Sequence, residues 1–379
     1  MSIYLDNSAT TCVCPEAAQA AIDAMTVTFG NPSSTYLPGR EAKRLVDRSR
    51  AAIAKALSCR AEELYFTSCG SESDNWAIIR GAEYSRHAGR HIVSSRTEHD
   101  AVLKALKYLE AEGYEVTLLD PQPDGSVSPA DVAAALRSDT CLVTLMLVNN
   151  ETGAVNDIAA VSRAVKERAP RALLHTDAVQ AFMKLPFSPS ALGVDLLSIS
   201  GHKVHAPKGI GALYIRSGLN LPPYIMGGAQ EFGRRAGTEP VPQIAAFAAA
   251  VEAAAKEMPE YTRRFAELRA HAIERLCTEN EGLVVLGGGA SHILSISLPG
   301  YRSETLMNFL EGRGIYVSKS SACKKGGRSH VLEAMKLRSD VIDGALRISF
   351  SRFTQLGEID ALCDALRDAR AGLRTSVRR

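Results

Sequence analysis

Lys203 stands in the stretch SISGHKVHAPKGIG, directly after a run that reads as a buried strand, with His202, His205 and Lys208 beside it. A solvated lysine belongs on a helix face or a loop tip. An amine held among Ser200, His202 and an apolar strand can instead have its pKa lowered and act as a nucleophile or form a Schiff base. Asp177 ends the apolar strand ALLHTD, and a carboxylate there is costly unless a cation answers it. A basic residue distant in sequence or the protonated ring nitrogen of a cofactor would supply that charge. Gly70 and Ser71 open a helix after a strand, so free backbone N–H groups and a hydroxyl point at one spot, as a phosphate requires. Ser200 and His202 can add donors to the same phosphate. A phosphate nest, an aspartate for a pyridinium nitrogen and a buried lysine together specify pyridoxal 5′-phosphate (PLP). His99 is then placed to stack on the ring, and Asn150 and Gln180 to bond its phenolic oxygen.

These residues need elements that bring them together. From about residue 40 the chain alternates helix and strand: GREAKRLVDRSRAAIAKALS reads as a helix, ELYFT as a strand, SESDNWAIIRGAEYSRHA as a helix. HIVSS, YEVTLL, CLVTLMLV, ALLHTD, DLLSIS and IGALYI follow as strands, several of them separated by helical segments. The continuous apolar run CLVTLMLV is expected where both faces of a parallel sheet are covered. The pattern predicts an α/β fold with a mainly parallel sheet. In such sheets the carboxyl ends of the strands share one rim, where ligands bind. The polar clusters Ser68–Glu72, Thr97–His99, Asn149–Glu151, Asp177–Gln180 and Ser200–Lys203 all fall at strand ends, so they are expected to converge. A long helix from about Pro240 to Asn280 connects to a second, smaller α+β unit. The expected division is a large cofactor-binding domain over 14–255 and a small domain made of 1–13 and 256–379.

Composition narrows the class. With 379 residues, 46% hydrophobic, 23% charged and a net charge of +2, the chain reads as a soluble globular protein with no call for nucleic acid or an anionic membrane. No run reaches the roughly 18 apolar residues a bilayer span needs. MSIYLDNSATT lacks the basic start and apolar core of a signal peptide, so a cytoplasmic protein is expected. The eight cysteines show no C-x-x-C and no paired framework, so neither a metal site nor a disulfide scaffold is indicated.

The motifs YLDNSATT, FGNPSS, TSCGSESDN, TEHDAVL, VNNETGAV, HTDAVQ, SGHKVHAPKGIGALY, RRAGTEP and SSAC, spread over essentially the whole chain, resemble those of cysteine desulfurases of the NifS/IscS type. These belong to the class V aminotransferase branch of fold type I PLP enzymes. The resemblance implies a large domain with a seven-stranded, mainly parallel sheet, and it supports each PLP residue above at its matching position. It adds Thr238 as a phosphate contact from the neighbouring subunit, hence a homodimer, and Arg347 as the clamp for the substrate carboxylate. It also implies that Cys323 of SSAC takes sulfur from L-cysteine, leaving L-alanine, and passes it to an acceptor protein for iron–sulfur assembly or for tRNA or cofactor thiolation. Lys319, Lys324, Lys325 and Arg328 surround this cysteine and favour its thiolate. The loop around it has few large apolar side chains to offset the entropy of ordering, so it is expected to be mobile. Cys69 stands where the family commonly has glycine, and His205 where a tyrosine or similar residue is usual. The rival readings are a selenocysteine lyase or aminotransferase of the same fold and a non-catalytic sulfur relay.

Overall fold

The computed structural model describes residues 2–319 and 328–373. Its larger sheet has seven strands in the order Leu64–Thr67, Gly211–Ile215, Leu196–Ser200, Leu173–Asp177, Thr140–Thr144, His91–Ser95, Glu115–Leu119. Only Gly211–Ile215 is reversed, pairing antiparallel with both of its neighbours; the others run parallel. Six of the seven strands are buried along their whole length, and only the edge strand Glu115–Leu119 faces solvent in part. This burial explains why the strand sequences are continuous apolar runs with no alternation.

The run CLVTLMLV forms less sheet than its composition predicts. The ladder covers Thr140–Thr144, while Leu145–Val148 continue buried beyond it. On one side Leu145 N and Leu147 N still donate to His175 O and Asp177 O. On the other, where His91–Ser95 has ended, the Met146 N–H donates to the Glu98 carboxylate at 3.0 Å. A side chain has taken over from the missing strand, and the segment runs on past the rim to Asn150.

The helix after Leu64–Thr67 also departs from regularity. Gly70–Asn75 is α-helical, Trp76–Arg80 is a π-helical turn and Gly81–Tyr84 returns to α. Helix Leu37–Leu57 buries Ala42, Val46, Ser49, Ile53 and Leu57 along one stripe, together with the charged Arg50. Helix Val241–Glu279 spans the predicted connector with Pro259 inside it, and it packs against helices Pro15–Thr26 and Leu37–Leu57.

A second, antiparallel sheet has the order Ser318–Lys319, Ala345–Ser349, Ile293–Ser297, Val284–Leu286. The first strand, Ile3–Tyr4, pairs in parallel with Ile315–Tyr316, and Asp6 bridges to Ser349. The residues just after it therefore pass between the two sheets, toward the rim of the larger one.

Candidate active site

The rim holds a cavity of about 290 Å³. Of the residues singled out in the sequence, Gly70, Ser71, His99, Asn150, Asp177, Gln180, Ser200, His202, Lys203 and Arg347 all line it. Five strand ends, distant in sequence, supply nine of them because the parallel ladder puts those ends at one level. The tenth, Arg347, arrives from the smaller sheet.

Lys203 closes a 3₁₀ turn, Gly201–Lys203, directly after strand Leu196–Ser200. Its Nζ donates to Ser8 O at 2.6 Å and to Ala9 O at 2.8 Å. Asp177 is the last residue of its strand and is buried. Burial raises its carboxyl pKa, against the Val179 N–H that donates to it and the nearby His99 and Lys203, which lower it. No salt bridge reaches Asp177 among the described residues. His99 caps helix Asp100–Ala111: its Nδ1 accepts the Ala101 N–H at 3.1 Å. That bond fixes the neutral tautomer with the proton on Nε2, and burial lowers the pKa further, opposed by Asp177. His202 is pushed down to about 3 by burial and by Lys203, Lys208 and Lys184, so it offers a neutral N–H.

The Gly70 end of the cavity is shaped by close approach. A Cβ on Gly70 would lie 2.9 Å from Val179 Cγ2 and 3.4 Å from Ser200 Cβ, so the bare glycine lets this turn sit against the cavity wall. Ser200 Oγ, Gln180 Oε1, Ser8 Oγ and Asp74 Oδ1 are buried around the cavity without a hydrogen-bond partner among the described residues. Buried polar groups are normally satisfied. A flat, polar, anionic molecule with a protonatable ring nitrogen would supply hydrogen-bond partners for such groups and a charge for Asp177. The residues fit PLP.

Arg347 rises from strand Ala345–Ser349 with its side chain 2% exposed. Its Nη2 pairs with Asp6 Oδ1 at 2.7 Å and its Nη1 donates to Asn150 O at 3.0 Å. The guanidinium is thus aimed from two sides, with N–H groups left over for an incoming carboxylate.

Other expectations are redistributed by the structure. Within the cluster Thr97–His99 only His99 reaches the cavity; Glu98 turns inward, accepts Met146 N and Ser95 Oγ, and is pushed up to about 8 by burial. Asn149 likewise serves the backbone, its Oδ1 accepting the Glu151 and Thr152 N–H groups, while Asn150 faces the cavity. Thr238 lies apart from it, in a recess with Ser68 and Arg235. Cys323, with Lys324 and Lys325, lies outside the described residues. Of the other two cations expected to favour its thiolate, Lys319 pairs with Glu304 and Arg328 with Asp343, so their charge is already answered.

Several cavity residues were not singled out in the sequence. Ser8 and Ala9 act through backbone carbonyls, which every residue possesses. Asp74 lies on the helical face of Gly70 and Ser71, and that spacing would have revealed it. His330 opens helix His330–Ala334, lines the cavity and donates from Nε2 to Glu98 O at 3.0 Å. Before it, Ser329 Oγ makes a short hydrogen bond to Glu151, another cavity residue.

A strand-end lysine facing a buried aspartate beside a phosphate turn defines a PLP-dependent enzyme of the α/β class. Comparison with known proteins agrees. Residues 3–362 match the family model Aminotransferase class-V. The chain is 40% identical over 371 residues to cysteine desulfurase IscS of Methanosarcina thermophila, covering 96% of this chain and 91% of that one. It is also 40% identical over 385 residues to cysteine desulfurase IscS of Klebsiella pneumoniae, covering 99% and 94%. Among solved structures, a NifS-like protein superimposes with a TM-score of 0.93 at 36% identity, covering 98% of this chain and all of the other. The chain belongs to the class-V aminotransferase family, in its cysteine desulfurase branch.

Proposed function

We propose that this protein converts L-cysteine to L-alanine and leaves the sulfur as a persulfide on Cys323, for delivery to an acceptor protein. The observation that carries the reading is the convergence of Lys203, Asp177, His99 and Arg347, from four separate strands or strand ends, on one cavity. A sulfur relay without catalysis needs none of the four. In this reading Gly70, Ser71, Ser200 and His202 hold the cofactor phosphate, Asp177 its ring nitrogen, and Asn150 and Gln180 its phenolic oxygen. Bound there, PLP acts as an electron sink that stabilises negative charge developing at the substrate Cα.

The chain's own residues do the rest. Lys203 attaches the cofactor at rest and, once displaced by the substrate amine, takes the Cα proton. The Ser8 and Ala9 carbonyls hold its amine at the cavity wall when it is free. Arg347 binds the substrate carboxylate as a planar fork, with Asp6 and Asn150 O setting its plane and Asn150 lining the substrate side. His99 gives or takes a proton through Nε2. The Cys323 thiolate attacks the substrate sulfur; the Cβ–S bond breaks, the sulfur stays on the enzyme, and protons replace it on alanine.

The family pattern also supports a homodimer in which Thr238 completes the partner's phosphate site. Val27, Phe29, Met226 and Phe232 are more than half exposed in the single chain, which favours a second copy covering them. No described helix is long and apolar enough to cross a membrane, and a cytoplasmic enzyme supplying iron–sulfur assembly or thiolation fits the reading.

The test is Cys323→Ala. It should still bind PLP and still change absorbance with cysteine, yet form no persulfide by mass spectrometry and release alanine only at background. Turnover equal to the parent's would hand the site to a lyase or aminotransferase reading.

A further inference from the structure

A second cavity, of about 20 Å³, also touches Lys203. Lys184, Arg352 and, from the long helix, Tyr261 and Phe265 contribute to its wall. Lys184 is 8% exposed, and its Nζ finds no hydrogen-bond partner among the described residues. Arg352 is equally buried, and its Nε finds none either. The Arg352 Nη groups face Glu257 at 3.2 Å and Glu16 at 4.0 Å. Both carboxylates are more than half exposed, so they answer the guanidinium from the solvent side only. No carboxylate lies within ion-pair range of Lys184 among the described residues. The Lys184 ammonium and the Arg352 Nε–H thus border one small cavity without a hydrogen-bond acceptor among the described residues, although buried polar groups are normally satisfied.

Size narrows the ligand. A site needs about 10–15 Å³ on this measure to hold one water-sized species, so the cavity holds one such species. Sulfate, phosphate and carboxylates are too large. We propose that this cavity binds one small monovalent anion of the chloride class, held by the Lys184 ammonium and the Arg352 Nε–H. Burial, and then the charge of Lys203, lower the Lys184 pKa to about 7. Near neutrality an anion therefore also decides whether this amine is charged. Seated there, it offsets the like charge that Lys184 presents to Lys203. The alternative is a neutral Lys184 beside one water molecule.

Crystals of the full chain soaked in bromide should show an anomalous peak within hydrogen-bond distance of Lys184 Nζ and Arg352 Nε. Water density at that point, with bromide only on surface lysines, overturns the proposal. In solution, replacing gluconate by chloride at constant ionic strength should raise the melting temperature saturably. Lys184→Met should lose that rise, whereas Lys104→Met, at an exposed position, should keep it. A melting temperature indifferent to the halide, or an equal response in Lys184→Met, also overturns the site. Should Lys184→Met fail to fold, the bromide experiment on the parent decides alone.

Discussion

Two buried acids, one ending a strand of the larger sheet and one in a turn packed against its edge, meet opposite fates. Glu231 is paired with Arg50 in a bidentate bridge, both bonds at 2.7 Å, with side chains only 4% and 5% exposed. Arg50 also donates to Leu64 O at 2.7 Å, and Glu231 accepts the Phe66 N–H at 2.8 Å. These backbone groups belong to the edge strand Leu64–Thr67, so the pair covers an edge that would otherwise present open donors and acceptors. The guanidinium further lies 4.6 Å from the centre of the Phe66 ring. Asp177, by contrast, is also buried, yet among the described residues it has one backbone N–H and no ion pair. A buried charge satisfied within the chain serves the fold; one left short of partners marks where a ligand completes it.

The largest effect should come from the unsatisfied side of this contrast. Lys203→Ala removes both the attachment point and the proposed base, and should lower alanine formation by about 10³–10⁴-fold or more. The check is alanine release, and retention of even a tenth of the activity would break the site assignment. Asp177→Asn should lose about 10²-fold in kcat while leaving the cofactor-free protein as stable as the parent or more so, since it removes a charge the apo fold does not compensate. Arg50→Ala should do the reverse. It strands the buried Glu231 and should cost about 3–5 kcal/mol of stability, read by denaturant unfolding, with comparatively little change in kcat among molecules still folded. Equal stability losses in the two variants would erase the distinction between structural and functional burial.

Smaller effects sharpen the same picture. Arg347→Lys keeps the charge but loses the fork, and should raise KM for cysteine about tenfold or more with the PLP absorbance unchanged. Glu98 gives a pH test. Its carboxyl is raised from 4.5 to about 8 in the fold, so the folded state holds a proton that the unfolded chain has already released. The stability this contributes is complete below about pH 4.5 and is lost as pH rises toward 8. Glu98→Gln should flatten that decline; an unchanged pH profile of unfolding would show that Glu98 ionises normally in the fold.

Much of the site was legible because its signal was local. A strand-length apolar run ending in a polar cluster can be read in a window of ten residues, and the parallel α/β pattern implies that such ends share a rim. Ten of the singled-out residues accordingly line one cavity. The same reasoning was too generous at Glu98 and Asn149, which sit in the right clusters but turn toward backbone N–H groups. Adjacent residues at a strand end point in opposite directions, and residue type does not reveal which direction faces the ligand.

Residue types and their order, then, determined the α/β architecture and the rim and singled out Lys203, Asp177 and His99, because hydrophobic runs and ionisable groups are properties of the chain itself; Arg347 was singled out by the family resemblance. Only the tertiary structure decided that the Ser8 and Ala9 carbonyls hold the lysine amine, that Asp6 aims Arg347 and that Arg50 closes a sheet edge through Glu231. Those contacts join residues 195, 194, 341 and 181 positions apart. They depend on backbone atoms common to every residue, or on pairings that form only after the chain between them has folded.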